Sequence, residues 1–196
     1  DDGILRLLHH GEVVGQLDVS FLHGGRPDNE RVSVVPEPLD EAAPDLRGTD
    51  AEQLLKELLA NGNVASKEPV IRQYDHEVQG RMTLRPLAGA HRDAPMDGCA
   101  LDPLRDGSHQ VVVSCGLALA MGEVDPYQMA CHSVDEALRN CICSGGSLER
   151  AALLDNYAWG DVKDPAILGQ IVECSRGAAD AARAYRTPFI SGKDSL

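Results

Sequence analysis

The sequence lacks the features of a nucleic-acid-binding or membrane-spanning protein. It has 18 lysines and arginines against 31 acidic residues, for a formal charge of −13, and its basic residues form no cluster. Nucleic-acid binding depends on clustered cations, so we expect no nucleic-acid partner. No apolar run approaches the roughly 20 residues of a transmembrane helix, and the first residues do not resemble a signal peptide. We therefore expect no membrane partner and a cytoplasmic location.

The sequence also lacks a dense cysteine framework. Its six cysteines are dispersed over 196 residues, unlike those of a small disulfide-rich secreted domain, so we expect reduced thiols. Cys131, His132, Cys141 and Cys143 offer four soft ligands, but their spacing matches no common zinc motif and their segment is predicted to be one helix. Ordinary buried cysteines are the favoured interpretation.

An apolar content of 43% is enough for one folded domain plus a fragment. Alternating segments at residues 4–8 and 13–19 predict a β-hairpin. Because a lone hairpin is only marginally stable, we expect it to close a domain that begins before this chain. A linker with a helix from Asp50 to Leu59 is predicted to follow, because four prolines stand there among acidic residues: Pro27, Pro36, Pro38 and Pro44.

From about residue 69 the pattern predicts one compact α/β unit. The first of its two long helices covers about residues 127–143, and the second begins at Asp164 and Pro165 and ends near Tyr185. Five strand-like runs accompany these helices, at residues 82–87, 98–104, 110–119, 151–156 and 188–190.

Three side chains of this unit could bind a hard cation. Asp97 opens a predicted strand, and Glu136 and Asn140 lie four residues apart on one face of the first long helix. Their oxygen atoms are ligands that Mg²⁺ prefers. From spacing alone, a solvated helix face is the favoured alternative.

A second group of residues lies at the ends of two predicted strands. Asp155 ends an apolar run, where a carboxylate can reach a ligand crevice. Gly192, Lys193 and Ser195 follow the last strand and offer close backbone approach, a cation and a hydroxyl. We expect the two segments to form two walls of one nucleotide-phosphate site. Ordinary turns are the alternative for both.

Five longer segments resemble phosphoribosylformylglycinamidine synthase, a synthetase of purine biosynthesis. The likeness extends over about residues 66–196, and the segments that carry it are 70–80, 93–97, 134–140, 153–160 and 188–195. It implies an α/β (α+β) fold similar to the N-terminal domain of aminoimidazole ribonucleotide synthetase. In that fold a mixed sheet has flanking helices, and here the hairpin of the previous domain would precede it.

The resemblance also implies a division into three parts. Residues 1–36 would end a preceding C-terminal-type domain, and residues 37–68 would be the linker with its short helix. Residues 69–196 would form the N-terminal-type, nucleotide-binding domain of a second tandem copy. The chain is thus expected to be an internal piece of a longer synthetase, and to be catalytically inactive by itself.

The family is an ATP-dependent ligase that converts formylglycinamide ribonucleotide and glutamine-derived ammonia to the amidine. By position, Asp155 and Gly192 match nucleotide contacts and Ser195 matches a substrate contact, while Lys193 would neutralise nucleotide phosphate. Lys193 departs from the smaller form of the family, which has an asparagine ligand of Mg²⁺ there. The larger form carries the same Gly-Lys-Asp-Ser sequence.

The metal-binding positions and the partners come from the same resemblance. Asp97, Glu136 and Asn140 match Mg²⁺ ligands of an auxiliary nucleotide site in the larger form, so Mg²⁺ and ATP or ADP are the implied cofactors. The implied partners are the remaining domains of the synthetase, a glutaminase domain or subunit, and a small bridging subunit. Self-association of the chain is a further expectation, because an uncovered apolar face tends to find a partner.

Two alternatives and one open question remain at this stage. The domain could be a non-catalytic half that holds an auxiliary nucleotide and pairs with a catalytic sister domain. It could also belong to a related family, such as selenophosphate synthetase or thiamine-phosphate kinase. The sequences of residues 74–76 and 192–195 disfavour this second alternative. The role of Tyr74, Asp75 and His76 is open, and a paired surface histidine is the favoured interpretation.

Overall fold

The computed structural model describes residues 2–25, 29–37, 39 and 42–195. Pro27 and Pro38 of the predicted linker, and Leu196, lie outside the described residues. The chain divides into two compact units, residues 1–32 and 33–196.

The first unit is the predicted hairpin followed by a short helix. Its elements are β1 (Ile4–His9), β2 (Glu12–Asp18) and α1 (Val19–Gly24). The two strands are antiparallel, and His10 and Gly11 turn the chain with left-handed φ values of 49° and 87°. Val19 was predicted to be in the strand but begins the helix, because the Asp18 carboxylate accepts a hydrogen bond from the Ser20 amide at 2.8 Å and caps it.

The second unit contains five α-helices among its described residues. They are α2 (Ala51–Ala60), α3 (Glu68–Ile71), α4 (Met121–Val124), α5 (Pro126–Cys143) and α6 (Pro165–Tyr185). Short 3₁₀ turns occur at Val78–Gly80 and Leu148–Arg150. The predicted starts of α2 and α6 are confirmed. Asp50 accepts hydrogen bonds from the Glu52 and Gln53 amides, and Asp164 accepts one from the Ala166 amide. None of the helices in the described part of the chain is long and apolar enough to span a bilayer.

The described strands of the second unit form three separate ladders, and both parallel and antiparallel pairs occur. The strands are β3 (Met82–Leu84), β4 (Leu87–Ala88), β5 (Ala94–Pro95), β6 (Gly98–Leu101), β7 (Val111–Ser114), β8 (Leu153–Ala158) and β9 (Phe189–Ser195). The antiparallel ladders are β3-β6-β7 and β4-β5, and the parallel one is β8-β9. The α/β class with mixed strand directions is therefore confirmed.

In the parallel β8-β9 ladder, the last strand ends later in the sequence than predicted. The last strand was expected to stop near residue 190 and to be followed by a loop. Instead β9 continues to Ser195, because it pairs with β8 along its length, and the Trp159 amide donates to the Ser195 carbonyl at 3.1 Å. Helix α6 is the crossover that parallel strands require.

The core of the second unit lies between α5, α6 and β8. Val134, Leu138, Leu153 and Ala181 form its buried cluster. The two helices approach closely at Gly177, where a Cβ would lie 2.2 Å from the Tyr127 carbonyl oxygen. This packing fixes α5 and α6 beside the strands that carry the predicted site residues.

Candidate functional site

The predicted site residues fall into two groups on different elements. The helix group lies where α5 meets β6 and β7, and consists of Asp97, Glu136 and Asn140. The strand group lies on β8 and β9, and consists of Asp155, Gly192, Lys193 and Ser195. Within the described residues, no hydrogen bond or ion pair joins a member of one group to a member of the other.

The helix group is assembled by a close approach of backbone to helix. Gly116 follows β7, and a Cβ there would lie 2.1 Å from the Ser133 carbonyl oxygen and 2.5 Å from the Ala137 amide nitrogen. Both atoms belong to the α5 backbone and cannot move aside. Only glycine therefore lets this segment touch α5.

The segment so placed contacts all three members of the helix group. Glu136 Oε2 accepts a hydrogen bond from the Leu117 amide at 2.7 Å, and Asn140 Nδ2 donates to the Cys115 carbonyl at 2.9 Å. The Asp97 carbonyl accepts from the Cys115 amide at 3.0 Å. The residues singled out from the sequence thus surround one three-residue stretch.

The electrostatics of Cys115 reflect this arrangement. Partial burial raises the pKa of its thiol, and the negative charges of Asp97 and Glu136 add to the shift. Both carboxylates are therefore close enough to act on the same group.

The donor atoms of the helix group suit Mg²⁺. The hydrogen bond from Asn140 Nδ2 leaves its Oδ1 free, the bond to Glu136 Oε2 leaves Oε1 free, and the Asp97 side chain has no hydrogen bond among the described residues. Across the described ranges, no three histidine, cysteine or acidic side chains come together as a metal site. A cation here would rely on the Asn140 amide and on water or ligand oxygens, which is usual for Mg²⁺.

The strand group contains one very close contact. Asp155 on β8 is in register with Gly192 on β9, and a Cβ at residue 192 would lie 1.9 Å from Asp155 Oδ1. The carboxylate thus lies over the main chain of Gly192. Asp155 was expected at the end of its strand, but β8 continues past it to Ala158.

The two faces of the β8-β9 ladder differ sharply. The inner face packs toward α6 and includes Leu153, which is 8% exposed; the outer face includes Leu154, which is 69% exposed. Because side chains alternate along a strand, Asp155 lies on the inner face and Asn156 on the outer face.

The register places Lys193 beside Asn156, on the outer face. Lys193 Nζ donates to Ser195 Oγ at 2.7 Å, which confirms that these two side chains share a face. The structure therefore brings Lys193 and Ser195 together, but it does not bring Lys193 to Asp155.

An open cavity of about 340 Å³ lies on the inner face, between the strands and α6. Asp155, Tyr157, Ser175, Phe189 and Asp194 line it. Burial raises the pKa of Tyr157 to about 12, so its phenol remains protonated at neutral pH. Tyr157 was not predicted as a site residue, although its position two residues after Asp155 puts it on the same face. Nothing in the sequence marked Ser175, because its position depends on how α6 packs.

The segment that contains Tyr74 and His76 is a strained surface turn. Asp75 and Glu77 have left-handed φ values of 53° and 68°. Glu77 forms an ion pair with Arg85 at 2.6 Å, and His76 Nε2 lies 3.8 Å from Glu77 Oε1. The histidine is thus paired with an acid, and among the described residues this turn bonds to neither site group.

This chain matches one family model and is similar in sequence to known proteins. The family model "AIR synthase related protein, N-terminal domain" matches residues 96–196. A phosphoribosylformylglycinamidine synthase subunit PurL of Anaeromyxobacter dehalogenans is 38% identical over 204 aligned residues, which cover 95% of this chain and 24% of that subunit.

Solved structures match the whole chain at low sequence identity. PurLQS from Thermotoga maritima matches with a TM-score of 0.65 and 19% identity, over 100% of this chain and 28% of that one. Thermotoga maritima PurL complexed with ATP and complexed with FGAR each match with a TM-score of 0.61, at 17% and 19% identity, again over 100% of this chain and 28% of those. These matches show the fold.

The resemblance predicted from the sequence motifs is confirmed by these comparisons, as is the fold of an AIR-synthetase-type N-terminal domain. The chain spans about a quarter of the length of the curated relatives it matches.

Proposed function

Because the chain belongs to the AIR synthase related family, we propose that it is part of a phosphoribosylformylglycinamidine synthase of purine biosynthesis. The whole enzyme would be an ATP-dependent ligase that converts formylglycinamide ribonucleotide and ammonia from glutamine to formylglycinamidine ribonucleotide. Support comes from the PurL subunit at 38% identity and from the match to PurL structures that hold ATP or FGAR. We infer a cytoplasmic location from this kinship alone.

The reaction would transfer a phosphoryl group from ATP to the amide oxygen of the substrate, and ammonia would then displace phosphate. Such a step depends on placing the reactants and neutralising phosphate charge more than on a protein nucleophile. We assign Asp155 and Gly192 to contact with the nucleotide, Ser195 to contact with the substrate, and Lys193 to neutralising phosphate. The three-part division of the chain at residues 36 and 68 stays a prediction.

The helix group would hold Mg²⁺ close to a bound nucleotide. The metal would supply positive charge to the phosphates when bound. Asp97, Glu136 and Asn140 would contribute their free oxygens, and the bonds to residues 115–117 would orient Glu136 and Asn140 before any ligand arrives. Such orientation lowers the entropy lost on binding.

The observation that carries the proposal is the contact of the Asp155 carboxylate with the Gly192 backbone. It joins two segments, 37 positions apart, that match nucleotide-contacting positions of the family. Asp155→Ala in the complete synthase should lower kcat/KM for ATP at least about tenfold, because a charged hydrogen-bond acceptor is lost. Asp161→Ala, in the exposed loop after β8, is the matched control. Unchanged ATP kinetics in the Asp155 variant would remove this contact from the nucleotide site.

A second candidate function is that of a non-catalytic half that holds an auxiliary nucleotide and pairs with its catalytic sister domain. The lysine at position 193, where the smaller form of the family has an asparagine, favours it. ADP that stays bound and unhydrolysed through purification of the complete protein, and that is lost in Asp97→Ala, would support this function. Turnover of that nucleotide would exclude it.

We further propose that the chain works only with partners. These would be the remaining synthase domains, a glutaminase and a small bridging subunit, in keeping with the name PurLQS of one matching structure. The 196 residues alone should form no amidine, and exposed apolar side chains such as Leu154 and Ile190 should promote self-association. Size-exclusion chromatography combined with a turnover assay tests both statements.

A further inference from the structure

We propose that the outer face of the β8-β9 ladder binds the phosphomonoester of the ribonucleotide substrate, and that Lys193 serves the substrate rather than ATP. This inference rests on the proposed function and assigns its lysine to one of two phosphate sources. The polar strip concerned consists of Ser191, Lys193, Ser195 and Asn156, and we call it the outer strip.

The geometry of the strip follows from the strand register. Ser191, Lys193 and Ser195 are alternate residues of β9, so they share one face at intervals of about 6 to 7 Å. Asn156 is in register with Lys193 on the neighbouring strand, and all four residues are exposed. One ammonium group, two hydroxyls and an amide therefore present hydrogen-bond donors to the same side.

The outer strip carries a positive charge, whereas the chain as a whole is strongly negative. The chain carries a net charge of −13, yet the described outer-face positions of this ladder hold no acidic residue. The acids Asp155 and Asp194 both lie on the inner face and line the cavity there. The outer face would therefore attract an oxyanion more strongly than the inner face.

Lys193 also has no acidic partner within the part of the chain that the structure describes. Seven of the 14 other lysines and arginines of the second unit form ion pairs among the described residues, for example Arg139 with Asp135 at 2.5 Å and Arg176 with Glu173 at 2.7 Å. The Lys193 ammonium instead donates to a hydroxyl, Ser195 Oγ, at 2.7 Å. Among the described residues no carboxylate lies within ion-pair distance of it, so its charge is available to a ligand.

The two faces of the β8-β9 ladder indicate whether Lys193 binds the substrate phosphomonoester or the ATP polyphosphate. The proposed nucleotide contact, Asp155 with Gly192, is on the inner side of the ladder, whereas Lys193 contacts the proposed substrate residue Ser195 on the outer side. A phosphate held by Lys193 and Ser195 together is thus separated by the sheet from the Asp155 carboxylate. The substrate phosphomonoester fits this position better than the ATP polyphosphate.

Steady-state kinetics of the complete synthase test the assignment. Lys193→Met should raise KM for formylglycinamide ribonucleotide at least about tenfold and leave KM for ATP within about twofold, because a charge-assisted bond to phosphate is lost. Lys193→Arg should recover most of the affinity. Lys163→Met, in an exposed loop, is the matched control, and Asp155→Asn should show the opposite pattern, with the larger effect on ATP.

Each outcome decides a different point. A rise in KM for ATP alone in Lys193→Met would overturn this inference and leave the proposed function intact. Unchanged KM values in both the Lys193 and Asp155 variants would overturn the inference together with the assignment of the strand group.

A chemical footprint gives a second readout that requires no substitution. Acetylation of Lys193, followed by mass spectrometry of the wild-type synthase, should be slowed several-fold by formylglycinamide ribonucleotide and little changed by ATP. Lys163 should acetylate equally under both conditions. Protection of Lys193 by ATP and not by the ribonucleotide would contradict the assignment.

Discussion

The helix group and the strand group show two different ways to hold polar side chains in one domain. In the helix group, Glu136 and Asn140 are already bonded to the backbone of residues 115–117, and Gly116 allows that backbone to touch α5. In the strand group, Asp155 is half-buried on the inner face of the ladder. Lys193 lies on the exposed outer face and bonds only to its neighbour Ser195 among the described residues. The first is fixed by packing and the second by strand register.

This difference indicates where each group is vulnerable. A change that separates β7 from α5 would disrupt both the fold and the helix group, because the same close contact serves both. A change on β9 would alter the chemistry of the strand group with little effect on the fold, since every described β9 residue is exposed. Three substitutions test this contrast, and a fourth tests the inner face of the strand ladder.

The largest effect is expected from Gly116→Ala. The new methyl group would lie 2.1 Å from the Ser133 carbonyl oxygen and 2.5 Å from the Ala137 amide, and neither backbone atom can move without distorting α5. We expect a loss of about 3 kcal/mol in the free energy of unfolding, measured by urea denaturation. Gly160→Ala is the control, because its nearest neighbours lie 3.9 Å away. A loss below about 1 kcal/mol would show that the junction is not rigid.

A smaller effect on stability is expected from Gly192→Ala. Its methyl group would also collide, at 1.9 Å, but with a carboxylate oxygen of Asp155 that can rotate away. We expect a loss of about 1 kcal/mol in the free energy of unfolding, together with weaker ATP binding measured by calorimetry on the complete synthase. If Gly192→Ala destabilised the chain as much as Gly116→Ala, the contrast between the two groups would be lost.

Glu136→Gln separates the structural from the ligand-binding role of the helix group. The glutamine carbonyl can still accept the hydrogen bond from Leu117, so the free energy of unfolding should change by less than about 0.5 kcal/mol. The lost charge should weaken Mg²⁺ binding at least about tenfold, measured by Mn²⁺ competition on the complete synthase. Asp135→Asn, one residue earlier on α5, is the control for metal binding. Unaltered metal affinity in Glu136→Gln would exclude it as a ligand.

The smallest effect concerns pH and Tyr157 on the inner face. Its pKa of about 12 in the folded chain exceeds the value of about 10 expected when unfolded, so the folded state retains the phenolic proton longer. The resulting stabilisation is complete below about pH 10 and is lost as the pH rises toward 12. Tyr157→Phe should therefore lose less stability than the wild type between pH 8 and pH 11, measured by urea denaturation. Equal losses would show that Tyr157 does not titrate with unfolding.

Much of the fold could be predicted because local signals and tertiary packing agree. The structure contains the helices predicted from Asp50, over residues 127–143 and from Asp164. Acidic caps at Asp50 and Asp164, and buried Val134 and Leu138 on the middle helix, stabilise them. The run at 82–87 was predicted as one strand but divides into β3 and β4, because each pairs with a different partner. These partner strands are distant in sequence, so the local sequence of this run does not predict its division into two strands.

The candidate site shows the same limit. The sequence placed Glu136 and Asn140 on one helix face because their spacing alone determines it. It did not reveal that Lys193 and Asp155 lie on opposite faces of a ladder, since the segment after residue 190 was expected to be a loop. Once β9 is known to extend to Ser195, alternation along the strand separates the two side chains.

Strand β9 has one further consequence for the chain in solution. Among the described residues it pairs on one side only, with β8, so a row of amide and carbonyl groups at its other side is open to a strand from another molecule. Such borders are where β-sheet proteins begin to stack into fibrils. The charged Lys193 in the middle of this border acts as a gatekeeper, because two copies added edge to edge would bring like charges together.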